Sequence, residues 1–179
     1  TFKINPEWEI VELWDTCENY DSKRRPVEKW ERKEGIYPYY GASGIVDYVD
    51  DYIFDWDYLL ISEDGANLLA RSTSIAFSIS WKNWVNNHAH ILKFKSRFTQ
   101  KFIEHYINSI DISKYVTWAA QPKLNQAKLN SIKIPLPPLD VQQVIIDRIE
   151  EEQKLIDANR KLIKIYEAKI EEKMDEIWW

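Results

Sequence analysis

Apolar residues in this chain follow two different rhythms. From Val141 to Trp178 they fall on a helical period, with Ile149, Ile156, Ile163, Ile170 and Ile177 at intervals of seven. Ile145, Leu155, Leu162, Tyr166 and Met174 widen the stripe, and neither Gly nor Pro interrupts it. A sustained seven-residue repeat predicts a long helix with a coiled-coil seam through Ile145, Ile149, Ile156, Ile163, Tyr166, Ile170 and Ile177. Glu152, Asn159 and Lys173 interleave with that seam, and polar groups there set register at some cost in stability. At 1.5 Å per residue such a helix is about 55 Å long, more than a compact domain of this size covers. Part of the stripe therefore requires another helix, unless the helix folds back on its own domain. Upstream, GIVDYVDDYIF, DYLLIS, SIAFSIS and AHILKFK are short β-branched and aromatic runs bounded by Gly, Asn, Asp and Ser, which reads as strands. TQKFIEHYINSI fits a short amphipathic helix and AKLNSI another. The expected fold is α+β, a mostly antiparallel recognition domain with short helices over residues 1–138, followed by one long helix over 139–179.

Between the two parts, IPLPPLDVQQ carries Pro135, Pro137 and Pro138, which forbid helix and favour an extended spacer. A Pro-rich peptide ligand is the other reading of that run. Asp140, with Gln143 three positions on, reads as the helix N-cap.

Charge changes this picture by its distribution. The chain carries -5 overall, but residues 139–179 hold eleven acids and seven bases, leaving eighteen acids and seventeen bases before them. The first part can present a basic face without being basic in sum. There is no signal-like start and no apolar run near the ~20 residues a membrane span needs. The single Cys17 excludes an internal disulfide framework and reads as a small buried apolar side chain. These features predict a cytoplasmic protein with no membrane partner.

Signatures of chemistry are sparse. Four glycines leave no Gly-rich phosphate loop, and NPEW is not the Asn-Pro-Pro-aromatic run of amino-methyltransferases. His88 and His90 in NNHAH are expected on one strand face, with no third ligand near in sequence, so no metal site is predicted. Asp47, Asp50, Asp51, Asp55 and Asp57, with no Lys between residues 34 and 81, read as solvated carboxylates rather than a nuclease centre. What recurs is basic residues among polar and aromatic ones. Lys23, Arg24, Arg25, Lys29, Arg32 and Lys33 precede Tyr40 and Ser43; Arg71 is followed by Lys82, Asn83 and Asn87; Gln121, Lys123 and Asn125 form a third group. Cations suit phosphates, and Arg, Asn and Gln suit base edges. Each cluster alone reads as solvated surface; their repetition points to DNA. The Arg and Lys of these groups except Lys82 are assigned to phosphate, and Lys82, Asn83, Asn87, Gln121 and Asn125 to base edges.

YPYYGASGIVDYVDDYIFD, DYLLISEDGANL, VNNHAHIL and QPKLNQAKLNSIKIPLPPLDVQQ resemble successive motifs of the DNA-specificity subunits of type I restriction-modification systems. The resemblance covers nearly the whole chain, and it is most specific in the order QPKLN, IPLPPL, long Gln-containing helix. It implies a non-catalytic subunit that reads one half of a bipartite double-stranded DNA target. Its implied partners are methyltransferase subunits, which bind S-adenosylmethionine and modify adenine, and restriction subunits that join through them. The chain itself is expected to bind no cofactor. Family members have two recognition domains and two long helices; one of each here implies half of a longer protein or a half-subunit that forms a homodimer. The alternative is a coiled-coil interaction module without DNA readout. One departure stands out: Trp14, Trp56, Trp81, Trp118 and Trp179 stand where the family tends to have turn glycines. A left-handed backbone at such a position costs a non-glycine residue roughly 1–2 kcal/mol.

Overall fold

The computed structural model describes residues 5–118 and 120–178, so Trp179 lies outside the described residues. It divides into two compact units, the first ending at Leu139 and the second beginning at Asp140.

The strands of the first unit are β1 (Glu9–Glu12), β2 (Cys17–Asn19), β3 (Glu34–Gly41), β4 (Gly44–Val49), β5 (Phe54–Asp55), β6 (Tyr58–Ser62), β7 (Ala76–Ile79), β8 (Lys82–Val85), β9 (Ala89–Phe94), β10 (Thr117–Trp118), β11 (Pro122–Lys123) and β12 (Lys133–Leu136). Its helices are α1 (Asn67–Ala70), α2 (Arg97–Ser109) and α3 (Gln126–Asn130). They form two four-stranded sheets, ordered β2-β9-β6-β7 and β4-β3-β8-β5, and two small pairs, β1-β12 and β10-β11. Every pairing is antiparallel except β3 with β8, in keeping with the predicted α+β class.

Sequence explains the layering. In DYLLIS, alternate residues of β6 point to opposite faces, yet Leu59, Leu60 and Ile61 are all buried, so that strand is covered on both sides. One cover is the second sheet: Phe54, Tyr58, Leu60, Ile79, Val85, Ala89 and Ile91 form a single apolar cluster drawn from both sheets. The other is α2, whose Phe102, Ile103 and Ile107 are buried; the helix packs on β7, β9 and β6. Each such large side chain contributes about 1.5–3 kcal/mol on burial. Ser96 caps α2, its side chain accepting from the Phe98 N–H.

β1 and β12 bring the start of the unit to its end, with Ile10 opposite Pro135. A proline lacks the N–H of a ladder and is tolerated in a two-stranded edge of this kind. Cys17 is half-buried, its Sγ 3.4 Å from the Leu13 carbonyl, and burial pushes its thiol up to about 12. Trp81, in the turn joining β7 to β8, has φ +68°. It is the left-handed position anticipated where Trp stands for glycine, whereas Trp14, Trp56 and Trp118 have no positive φ and carry no such strain; Asn83 Nδ2 donates to the Trp81 carbonyl at 2.7 Å.

The second unit is one helix, α4 (Leu139–Trp178), of 40 residues. Since it begins at Leu139, Asp140 lies within the first turn rather than at the cap, where a carboxylate meets the positive end of the helix dipole. Gln142 and Ile146 are its buried residues, and Ile145 and Ile149 are half-buried. From Leu155 onward the apolar stripe is open: Ile156, Ile163, Tyr166, Ile170 and Ile177 are between 45% and 74% exposed. Among the described residues no helix is long and apolar enough to cross a membrane.

Candidate nucleic-acid interface

Three loops of the first unit and the β10–β11 hairpin are tied together at one end. Between β8 and β9 the dipeptide Asn86–Asn87 makes a turn in which Asn86 Oδ1 accepts from the His88 N–H at 2.8 Å, the self-bonding habit that suits Asn to turns. Asn86 N donates to Tyr40 O at 3.0 Å, Glu63 N to His88 O at 2.9 Å, Gly65 N to Pro122 O at 3.1 Å and Leu124 N to Glu63 O at 2.8 Å. The β3–β4 turn with Ser43 joins through the Ser62 hydroxyl, which donates to Ala42 O. Gly65, with φ +105°, gives the chain the left-handed step that carries it from β6 into α1.

A knot of charged side chains lies beneath these loops. Arg24 Nη1 sits 2.6 Å from Glu63 Oε2 and donates to the Ala89 carbonyl at 2.8 Å and the Asn87 carbonyl at 3.3 Å. Lys123 Nζ meets the other Glu63 oxygen at 3.0 Å. His90 is buried, with Nδ1 2.6 Å from Asp21 Oδ2 and Nε2 2.7 Å from the Leu124 carbonyl. Asp21 Oδ1 accepts from the Ile91 N–H at 2.8 Å. Burial works to raise both carboxyls, but His90 beside Asp21, and Arg24 and Lys123 beside Glu63, hold them below the usual carboxylate range. Asp21, Glu63 and His90 are close enough to hold a metal ion. The guanidinium of Arg24 and the ammonium of Lys123 already supply positive charge there, and both imidazole nitrogens face oxygens.

Of the residues assigned to DNA from sequence, Arg24, Ser43, Asn87, Gln121, Lys123 and Asn125 belong to this end. Arg24 is corrected to a structural residue, because its guanidinium is spent on two carboxylates and three carbonyls. Asn125 is likewise a cap: its Oδ1 accepts from Lys128 N at 3.0 Å, starting α3. Ser43, Asn87, Gln121 and Lys123 remain exposed.

Other assigned residues lie elsewhere. Lys82 opens β8, roughly five residues or 16 Å of strand from Asn87, with its ammonium 4.5 Å from the Tyr52 ring centroid. Asn83 is fully buried and cannot reach a base; its Oδ1 has no partner among the described residues. Tyr40 packs against the apolar core cluster, and burial raises its hydroxyl. Arg71 is also a correction: with φ +52° it ends α1, and its guanidinium donates to the Ile107 and Ile110 carbonyls at the end of α2. Arg32 is partly spent, 3.1 Å from Asp47 and stacked 4.3 Å from the Tyr39 ring centroid. Together with Lys29, Glu34 and Asp47 it lines a depression of about 410 Å³ whose charges balance, so this is no anion pocket. Lys23, Arg25, Lys29 and Lys33 are exposed, and Lys23 lies 4.1 Å over the Tyr20 ring.

His88 and His90 do not share a strand face, because β9 begins at Ala89 and leaves His88 in the preceding turn. His88 Nδ1 lies 3.0 and 2.9 Å from the two oxygens of Asp64. Sequence reading missed Asp21, Glu63 and Asp64 as partners. ISEDGAN offered only the turn signal Asp-Gly, and the contacts span 24 to 70 residues.

At one end of its two sheets the first unit presents exposed amides and an exposed lysine, Asn87, Gln121 and Lys123. The chain belongs to the family of the type I restriction modification DNA specificity domain, whose profile matches residues 5–167. It is 34% identical over 155 residues to a putative type I restriction enzyme specificity subunit of Haemophilus influenzae, covering 85% of this chain and 37% of that protein. The EcoprrI specificity subunit of Escherichia coli is 27% identical over 67% of this chain and 30% of its own length. Among solved structures, a chain of a type I R-M system superposes with a TM-score of 0.63 at 18% identity, covering 88% of this chain and 41% of that one. The S subunit from M. genitalium gives 0.56 at 15% identity, covering 89% and 45%. The chain thus spans well under two thirds of these relatives.

Proposed function

We propose that this chain is one reading unit of a type I specificity subunit, in which the first unit contacts one half of a bipartite duplex target and α4 fixes its distance from a second reader. The observation that carries the reading is α4: 40 helical residues, about 60 Å at 1.5 Å per residue, with an apolar stripe left open from Leu155 to Ile177. A stripe of that length is stable in water only when covered by another helix. That helix comes from a second reading unit, in the same polypeptide or in a second copy of this chain forming a homodimer. Two-fold pairing of identical readers suits an interrupted palindrome, the unread gap being set by helix length. The reading includes no catalysis by this chain. Methylation belongs to methyltransferase partners that bind S-adenosylmethionine, cleavage to restriction subunits joined through them, and the assembly works in the cytoplasm.

The test combines assembly and binding. Light scattering of the chain should report a dimer, and Ile156→Asp with Ile163→Asp should return it to monomer. With methyltransferase subunits supplied, affinity for duplex DNA should fall with salt at a log-log slope of about -0.9 per phosphate neutralised. Salt-independent binding, or none, sinks the DNA reading; a monomer unaffected by the aspartates sinks the homodimer.

A further inference from the structure

We propose that His88 is a DNA-contacting residue, held in place by Asp64, whose free imidazole edge donates to a phosphate oxygen of the duplex. This rests on the reading of the chain as a DNA-specificity unit and adds to it a contact that the basic clusters did not include. The two histidines of NNHAH make the case by contrast. Each offers Nδ1 to a carboxylate, His90 to Asp21 at 2.6 Å and His88 to Asp64 at 2.9 Å. At His90 the protein also answers the second nitrogen, with the Leu124 carbonyl at 2.7 Å. At His88 no protein group among the described residues meets Nε2, and the side chain is 49% exposed while Asp64 is 13% exposed. One imidazole is closed on both edges; the other is clamped on one edge and open on the other.

Asp64 is itself fixed by the fold. It sits opposite Lys123 in an isolated antiparallel bridge, and the next residue, Gly65, bonds Pro122. His88 is therefore oriented from two sides, by its own turn and by a carboxylate anchored to the hairpin. Its sequence neighbour Asn87 is exposed, as are Gln121 and Lys123, so the open edge lies among groups able to bond DNA. Charge selects the ligand. Near His88 lie the carboxylates of Asp21, Glu63 and Asp64, with Arg24, Lys123 and the closed ring of His90 packed among them. Histidine is the side chain whose charge changes between about pH 5 and 8. A ring that donates to Asp64 from Nδ1 and to a phosphate from Nε2 carries both protons, so the proposed contact is charge-assisted at each edge. His88 is the contact residue in this arrangement and Asp64 a positioning residue.

The experiment uses the chain assembled with its methyltransferase subunits and a pool of genomic duplex fragments, following affinity against salt at about pH 6 and about pH 8. The wild-type assembly should bind more tightly at the lower pH, by about tenfold, with a salt slope steeper by about 0.9. His88→Gln should lose both differences. His88→Arg, a permanent cation at the same place, should hold the steeper slope at both pH values, and Asp64→Asn should shrink the pH difference while thermal melting shows the fold retained. Equal affinity and slope for wild type and His88→Gln at both pH values, or a pH difference surviving in His88→Arg, overturns the assignment of His88 and leaves the DNA reading standing. Failure of the wild-type assembly to bind duplex at either pH overturns the DNA reading itself.

Discussion

Ion pairs occur in both units of this molecule, and they do different work in each. In the first unit Arg24 and Glu63 meet at 2.6 Å with side chains 14% and 13% exposed, bridging residues far apart in sequence. In α4, Lys173 and Glu176 also make a close pair, but they are 70% and 55% exposed and one helical turn apart. Water and salt screen the second pair, whereas the first is shielded and tied to three backbone carbonyls. The first unit therefore encodes its loop geometry in buried polar contacts. In the helix the ion pairs are exposed, and the apolar stripe lies open beside them.

The strongest way to break this contrast is Glu63→Ala. Removing one partner of a shielded pair leaves Lys123 without a carboxylate and Arg24 with Asp21 alone, and such losses run to about 3–5 kcal/mol. Arg24 keeps its carbonyl partners, so the lower end, about 3 kcal/mol, is expected from urea unfolding. A loss under about 1 kcal/mol would mean that the knot is no more than a surface network. Acid should tell the same story. The folded-state carboxyls of Asp21 and Glu63 lie below their ordinary values of 3.8 and 4.5. The stability they contribute is thus complete above the unfolded values and lost as pH falls through the folded ones. Melting temperature should hold down to about pH 5 and decline below it, and less steeply in Glu63→Gln. An unchanged acid limb in that variant would remove Glu63 from the account.

A smaller effect tests how far tertiary packing in the first unit overrides local preference. Trp81 takes a left-handed backbone that glycine adopts freely, while its ring rests 5.6 Å from Tyr37. Trp81→Gly relieves the backbone and loses the ring; Trp81→Ala loses the ring and keeps the strain. The glycine variant should be the more stable of the two by about 1–2 kcal/mol. Equal stabilities would show that the turn relaxes in the alanine variant and that Trp81 stores no strain.

Much of this was legible because it depends on periodicity. The strands DYLLIS and AHILKFK, the helix TQKFIEHYINSI and the seven-residue stripe of α4 all lie where the pattern put them. The strand KNWV was missed because its burial alternates while its hydropathy does not, Asn83 being buried and Trp84 only half so. Site residues were less legible for a different reason. A guanidinium reads the same in sequence whether it faces a phosphate or a carboxylate, and Arg24 and Arg71 were misassigned because their partners, Glu63 and the end of α2, are 39 and 36 residues away or more. The apolar code is carried by spacing within a segment, the polar one by which segments meet.

The contrast has a weak pole, which Lys173→Ala probes. The pair with Glu176 spans three residues on an exposed helical face, a geometry worth about 0.2–0.5 kcal/mol in an isolated helix. Alanine also has the higher helix propensity, by a few tenths of a kcal/mol, so the two effects nearly cancel. Urea unfolding of the assembled protein should place the variant within about 0.5 kcal/mol of wild type, and added salt should leave that difference unchanged. Lys173 also stands in the polar row beside the Ile170 and Met174 seam. If the alanine variant instead alters the mass seen by light scattering, Lys173 is setting helix register across a partner, and the charges of α4 carry specificity after all.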